Sequence, residues 1–282
     1  MMKTTEASGT GTRHERGYIR IRNYQIHYLM AGSGSHAIFL LHETPLSGFT
    51  FVPSLCRLSE HFRVIAVDTP GYGNSTPPIV PLSLEEYAQI LSETVLAFGF
   101  SRVALAGVHT GAALCLEILR LTAAEIIVGV VLSGVPLMAP ALRTSLRELV
   151  AARANRADPE TILKAWYERA IRWKSAPLDL LIRAFADELH VFDRRDWALS
   201  AVLNYDPNPA LASCKHPVLL LNGRHDSLID SDQAVAAEFP HIKLTILEGC
   251  EGQLAWSHAE SYCRHVSEFL APLFRESNEP TN

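Results

Sequence analysis

The sequence predicts an α/β fold in which a mostly parallel, doubly wound sheet carries an inserted helical lid. Short apolar runs, each long enough for a buried strand, alternate with helical patterns along the first half of the chain. The strand pattern then stops between about 137 and 212, where helical patterns replace it, and resumes at 217. Strands alternating with helices at this spacing form right-handed βαβ units, so we expect helices on both faces of the sheet.

The first half of the chain is predicted to form an edge hairpin followed by four buried strands. Residues 17–31 alternate apolar and polar positions about Asn23, which is typical of a hairpin with one solvated face. Ser83 and Glu86 have the spacing of a capping box and predict a helix start. The buried strands are expected at 37–41, 63–68, 103–106 and 126–132, and helices at 47–61, after Ser83 and after Gly111.

The second half is predicted to contain the lid and the end of the sheet. Lid helices are expected at about 141–155, 159–174, 177–190 and 196–203, strands at 217–223 and 242–247, and a last helix, capped by Ser257, to about Phe274. The expected organisation is a disordered tail at 1–16, α/β core at 17–136, helical lid at 137–212 and core again at 213–276, with frayed residues at 276–282.

Composition favours one globular enzyme-sized domain and excludes several other classes. The 282 residues are 48% hydrophobic and 20% charged, and the net charge of -5 comes from interspersed charges, which argues against a nucleic-acid surface. The five cysteines form no Cys-x-x-Cys pair and the twelve histidines no metal-ligand spacing, so we expect no metal, cofactor or disulfide. No apolar run approaches the ~18 residues of a membrane span, and a cytoplasmic location is expected.

The run from Gly107 to Gly111 follows a predicted strand and precedes a predicted helix. A strand that reverses into a helix within one residue leaves room only for glycine two positions on either side, and it exposes the side chain at the apex. This layout resembles the nucleophile elbow of the α/β-hydrolase superfamily. The apex residue there is normally Ser, sometimes Cys or Asp, and here it is His109.

Three further motifs resemble the same superfamily, and with the elbow they span about residues 17–275. Leu41 to Pro45 lies where the family has the loop that helps bind an oxyanion, and Asp68 to Ser75 matches its Asp-x-x-Gly-x-Gly-x-Ser turn. Asn222 to Asp226 matches the turn that presents the acid of the catalytic triad. Four motifs in this order imply an α/β-hydrolase fold with Asp226 as the acid.

The resemblance also shows two departures from the family's triad. Alignment of residues 247–256 with the family's histidine loop places Gly252 where the catalytic histidine belongs, while His109 replaces the hydroxyl. A serine-esterase mechanism cannot be written with these residues. We hypothesise that His109 pairs with Asp226, directly or through one water, as a general base with its orienting acid; a nucleophilic role for His109 is the lesser alternative. The carboxylate is expected to raise the pKa of His109 above ~6.5.

Several other residues are candidates for the same site. The resemblance implies that the backbone N–H groups of Thr44 and Thr110 stabilise an oxyanion. Glu43 replaces a family glycine and could serve as an acid or as a partner of His109, although we expect it to be turned away and bound to loop amides. Glu251 is a weaker candidate for a replacement acid or base. The remaining histidines near these motifs are expected to be structural (His42), solvated (His258) or turned away from Asp226 (His225).

The function that the resemblance to the superfamily most often implies is hydrolysis of an ester, lactone or C–C bond in a small apolar or aromatic substrate. Lid aromatics are expected to contribute two or three side chains to its pocket. Epoxide hydrolases and haloalkane dehalogenases need Asp at the apex, so His109 disfavours both. Two alternatives stay open: a lyase, isomerase or cyclase with His109 as proton carrier, and an inactive ligand-binding protein in which the ring only fills space. Neither a nucleic-acid nor a membrane partner is expected, and a homodimer is left open.

Overall fold

The computed structural model describes residues 14–152 and 158–276. One eight-stranded sheet forms the centre, in the order β1-β2-β4-β3-β5-β6-β7-β8. The strands are β1 (Glu15–Ile21), β2 (Tyr24–Ala31), β3 (Ala37–Leu41), β4 (Arg63–Val67), β5 (Val103–Val108), β6 (Ile127–Ser133), β7 (Val218–Gly223) and β8 (Lys243–Leu247). The predicted strands are all present.

The sheet is parallel from β4 to β8, and its antiparallel part is the edge hairpin β1–β2. Strand β1 begins at Glu15, so the predicted tail is two residues too long, while residues 1–13 of that tail lie outside the described residues. Strand β5, which leads into the elbow, lies between β3 and β6. The carboxyl ends of these parallel strands meet at one edge, where α/β proteins place their ligands.

Helices flank the sheet and fill the lid. They are α1 (Val52–Leu58), preceded by a 3₁₀ turn at Gly48–Phe51, α2 (Leu84–Ala97), α3 (Thr110–Leu121), α4 (Pro140–Ala152), α5 (Pro159–Arg172), α6 (Leu178–His190), α7 (Trp197–Asn204), α8 (Asn208–Ser213), α9 (Ile229–Glu238), α10 (Leu254–Ser257) and α11 (Ala259–Glu276). The capping box of Ser83 and Glu86 at the start of α2 is formed in both directions.

Two apolar layers cover the two faces of the sheet. Alternate strand residues such as Phe39 and Leu105 pack with α2 and α3 on one face. Their neighbours, such as Leu40 and Ala104, pack with α1 and α11 on the other. Because every second side chain of a strand faces the same way, strands buried on both sides must be apolar throughout. The predicted mostly parallel sheet with helices on both faces is confirmed.

The helices α4 to α8 lie between β6 and β7, in the segment predicted as the lid. Three helices were not expected: α8, α9 between β7 and β8, and the short α10. Ser257 ends the short helix α10 instead of capping the last helix, which begins at Ala259. The predicted end of the first lid helix at 153–155 and the frayed residues 277–282 lie outside the described residues. Within the described ranges, no helix is long and apolar enough to cross a bilayer.

Candidate active site

The turn between β5 and α3 places the side chain of His109 at the carboxyl edge of the sheet. His109 has φ 49° and ψ -106°, a backbone conformation that side-chain-bearing residues rarely adopt. A Cβ at Gly107 would lie 2.3 Å from the carbonyl oxygen of Gly111, and a Cβ at Gly111 would lie 2.0 Å from that of Leu41. The close approach of strand, turn and helix therefore requires both glycines, as the motif predicts.

The imidazole of His109 lies between two carboxylates. Its Nε2 is 3.1 Å from both carboxylate oxygens of Asp226, and its Nδ1 is 2.8 Å from Oε2 of Glu43. The hypothesised direct contact with Asp226 is thus present. The expectation that Glu43 turns away to the loop amides is wrong, because its carboxylate faces the ring and is held there by a second contact, from Gln253.

Two glycines make room for the pair of His109 and Asp226. A Cβ at Gly134 would lie 2.3 Å from Cδ2 of His109, and a Cβ at Gly252 would lie 2.5 Å from Oδ2 of Asp226. Position 252 therefore borders the acid, as expected of the family's histidine position. With no side chain at Gly252, the carboxylate of Asp226 keeps the position in which it contacts the ring of His109.

The charges of the site favour a protonated ring. Burial alone would lower the pKa of His109, but the carboxylates of Asp226 and Glu43 outweigh burial and raise that pKa well above its usual value. Burial would likewise raise the pKa of Asp226, and the imidazolium overcomes it and lowers that pKa. Both ring nitrogens then donate to carboxylates, so His109 offers no free lone pair in this state. A protonated His109 cannot accept a proton, so the hypothesised role of His109 as general base does not fit this charge state.

Neighbouring groups hold the two carboxylates in place. The backbone N–H of Leu228 donates to Oδ1 of Asp226 at 2.8 Å. Gln253, which adopts φ 63°, donates from its side-chain amide to Oε1 of Glu43. Sequence reasoning did not identify Gln253, since its partner lies 210 residues away in the chain. The one feature of the sequence that could have indicated a role for Gln253 is its position next to Gly252.

The floor beside the ring carries Thr44 and Thr110, whose hydroxyl oxygens are 3.0 Å apart. Both residues line the cavity, and within residues 14–152 and 158–276 no protein acceptor is found for either backbone N–H. The loop bearing Thr44 is fixed by the buried His42, whose Nδ1 donates to the carbonyl of Glu43 at 2.8 Å and whose Nε2 accepts from the N–H of Thr69 at 3.0 Å. This is the structural role expected for His42.

A cavity of about 650 Å³ lies above the ring. Glu43, His109, Asp226 and Glu251 reach it from the core, and His225 and His258 also line it, so His258 does not lie on an outward solvated face as expected. Its apolar wall is formed by Pro136, Met138, Leu146, Leu199, Val202 and Leu228. Among the described residues, no three His, Cys, Asp or Glu side chains form a group able to hold a metal ion.

The lid contributes one aromatic side chain, Trp173, to the described wall of this cavity. The expectation of two or three is wrong, because most of the others pack within the lid or against the core and Tyr167 is exposed to solvent. Trp166 meets Phe185 edge to face, and the hydroxyl of the buried Tyr205 donates to Glu117 at 3.1 Å. The lid instead places two cations, Arg169 and Arg172, in the wall.

We expect His109 to remain protonated above pH 6.5, the usual pKa of histidine, because both its nitrogens face carboxylates. A pKa raised on folding stabilises the fold below about pH 6.5, and that contribution is lost as the pH rises through the raised value. Long-range ¹H–¹⁵N spectra, with the ring assigned by its absence in His109→Gln, should show the imidazolium pattern at pH 7.5. A ring that titrates near 6.5 would contradict the charged triplet.

The sheet, the left-handed elbow and the acid after β7 define a protein of the α/β-hydrolase fold. The chain belongs to the alpha/beta hydrolase family, whose model matches residues 31–267. This assignment confirms the fold predicted from the four motifs.

Relatives of known activity are hydrolases. A 2-hydroxy-6-oxononadienedioate/2-hydroxy-6-oxononatrienedioate hydrolase of Burkholderia vietnamiensis is 26% identical over 267 residues, which cover 87% of this chain and 91% of that protein. A soluble epoxide hydrolase of Corynebacterium sp. is 34% identical over 87 residues, but this match spans only 30% of that protein and 31% of this chain. The enol-lactonase from Burkholderia xenovorans LB400 superposes with a TM-score of 0.76 at 20% identity, covering 90% of this chain and 100% of that one, a likeness of fold.

Proposed function

We propose that this chain is a cofactor-independent hydrolase of a divergent branch of the family, with His109 at the elbow, that cleaves an ester, lactone or C–C bond in a small organic substrate. The observation that carries the proposal is the ion triplet Glu43–His109–Asp226 at the floor of the cavity, beside two N–H groups without a described protein acceptor. The near full-length likeness to a hydrolase from Burkholderia vietnamiensis supports the reaction class.

The substrate carbonyl would accept hydrogen bonds from the backbone N–H groups of Thr44 and Thr110. Negative charge develops on that oxygen when a nucleophile attacks, and donors fixed in advance stabilise it. His109 at the apex of the elbow carries no hydroxyl or thiol, so the nucleophile in this proposal is water and no acyl-enzyme forms. The imidazolium of His109 adds a positive charge close to the same oxygen.

The proton released by water goes to the carboxylate of Glu43, which lines the cavity and already shares a proton with Nδ1 of His109. Asp226 keeps the imidazolium charged and oriented throughout. When the tetrahedral intermediate collapses, the proton passes from Glu43 to the leaving oxygen or carbon. Water is thereby added across the cleaved bond, and the three side chains return to their starting charges. This assignment moves the base from His109 to Glu43 and retains His109 and Asp226 as a catalytic pair.

The test is hydrolysis in H₂¹⁸O of three probes: p-nitrophenyl butyrate, dihydrocoumarin and a 2-hydroxy-6-oxodienoate. We expect turnover of at least one probe, one ¹⁸O atom in the acid produced, and an unchanged protein mass after rapid acid quenching. Glu43→Gln should reduce this turnover while leaving the cavity volume unchanged, since the two side chains have the same shape. A protein mass increased by the acyl group, or no hydrolysis of any probe class, would contradict the proposal.

Proton-transfer chemistry without hydrolysis is the second candidate. The specific observation in its favour is that His109 has both nitrogens bound to carboxylates and a raised pKa, which suits a proton donor. A lyase, isomerase or cyclase would use this donor without adding water. Incubation of the same probes in D₂O separates the two reactions, because this alternative incorporates deuterium at carbon into a product of unchanged or rearranged skeleton.

A further inference from the structure

The lid helix α5 places two guanidinium groups in the cavity wall, Arg169 and Arg172. Residues three apart share a face of a helix, so both side chains approach the cavity from the same direction. Both also line a smaller recess of about 90 Å³, where Thr44 forms part of the wall. The cations therefore border a space that continues to the proposed oxyanion donors.

Arg169 is buried, with an exposed fraction of 6%, and its guanidinium group is held in one position. Its Nε and Nη2 both donate to Oε2 of Glu188, at 3.0 and 2.6 Å, and its Cζ lies 4.8 Å from the ring centre of Trp173. Among the described residues, no hydrogen bond from the third nitrogen, Nη1, is found. A buried cation fixed in this way offers a preorganised donor to an anion.

Negative and positive side chains face the main cavity from different sides, the core and the lid. Its carboxylates, Glu43, Asp226 and Glu251, come from the core. Among the described lid residues that line it, the charged side chains are the two arginines. The smaller recess is lined in addition by Glu168, Glu188, Arg195 and Asp196, which do not line the main cavity. An anionic group is therefore repelled from the floor and attracted to the lid wall, which fixes the direction of a bound molecule.

We propose that the cavity binds a small organic anion whose carboxylate lies against Arg169 and Arg172 and whose apolar or aromatic body lies against the wall formed by Met138, Leu199 and Leu228. That this anion is the substrate rests on the hydrolase function proposed above. Its reacting carbonyl then lies toward Thr44 and Thr110, at the opposite end from the carboxylate. The carboxylate end sets specificity and takes no part in bond cleavage.

The experiment compares 3-phenylpropanoate with 3-phenylpropanamide, which has the same shape without the charge, by calorimetry on the full chain. We expect the acid to bind at least about tenfold more tightly, since hydrogen bonds between charged groups are about twice as strong as neutral ones. The preference should fall about tenfold in Arg172→Gln. It should also fall in Arg169→Lys, which keeps the charge but loses the fork of donors. The matched control is Arg264→Gln, on the exposed face of α11, which should bind as the original protein does.

Equal affinity for the acid and the amide would overturn the inference, as would a preference that survives both cavity substitutions. Because Arg172 is exposed, Arg172→Gln tests the inference even if Arg169→Lys disturbs the buried pair with Glu188. Binding is measured without turnover, so the two proposals can fail separately. Selective binding of the acid with no hydrolysis of any probe would retain the anion site and reject the hydrolase function.

Discussion

Replacing His109 with alanine is expected to lower kcat/KM by about 10³-fold or more, the scale seen when one member of a catalytic triad is removed. The substitution removes the positive charge beside the developing oxyanion and leaves Glu43 and Asp226 facing each other without their shared cation. The measurement is the initial rate on whichever probe the original protein hydrolyses. Undiminished activity of His109→Ala would show that His109 takes no part in the reaction.

Loss of folding must be separated from loss of chemistry, because unpaired buried carboxylates also destabilise a fold. Thermal unfolding and the NMR dispersion of His109→Ala should show a folded protein under the assay conditions. The matched control is His241→Ala, an exposed histidine that does not line the cavity, which should retain full activity. Asp226→Asn should also lower the rate, since it keeps the shape but removes the charge that holds the imidazolium.

The fold could be predicted from the sequence because its signals are local. Strands such as β3 and β7 consist mainly of short apolar runs. The two elbow glycines mark a place where backbone segments approach so closely that a Cβ atom would not fit. The helix α9 was missed because its sequence, IDSDQAVAAE, has only two large apolar side chains, Ile229 and Val235, and a weak helical period. Its existence depends on packing against β7 and β8, which no local pattern records.

The site was only partly predictable, because its decisive contacts join distant parts of the chain. The pairing of His109 with Asp226 followed from two positions that the motifs place opposite each other. The orientation of Glu43 depends on a rotamer held by Gln253, and nothing near Glu43 in the sequence signals that partner. Similarly, the count of lid aromatics could not show that most of them contact each other or the core while two arginines reach the cavity.

The double substitution His109→Ser with Gly252→His is expected to create a serine-esterase site where the natural chain has none. Serine at the elbow would restore a hydroxyl at the apex. A Cβ at 252 would begin 2.5 Å from Oδ2 of Asp226, closer than a normal contact, so the carboxylate must turn slightly to admit the new imidazole that it then orients. Removing the ring of His109 frees the space between these positions. Nucleophile, base and acid would then stand in the order that a triad requires.

The measurement is a burst of p-nitrophenol from p-nitrophenyl butyrate, together with an increase in protein mass equal to the acyl group in acid-quenched samples. Each single substitution is a control and should give no burst: His109→Ser lacks a base, and Gly252→His meets a ring that already occupies the site. A fluorophosphonate should label the double variant and leave the natural chain unlabelled. A folded double variant that is never acylated would show that position 252 does not face the elbow, and the assignment of Asp226 as the acid of a lost triad would fail with it.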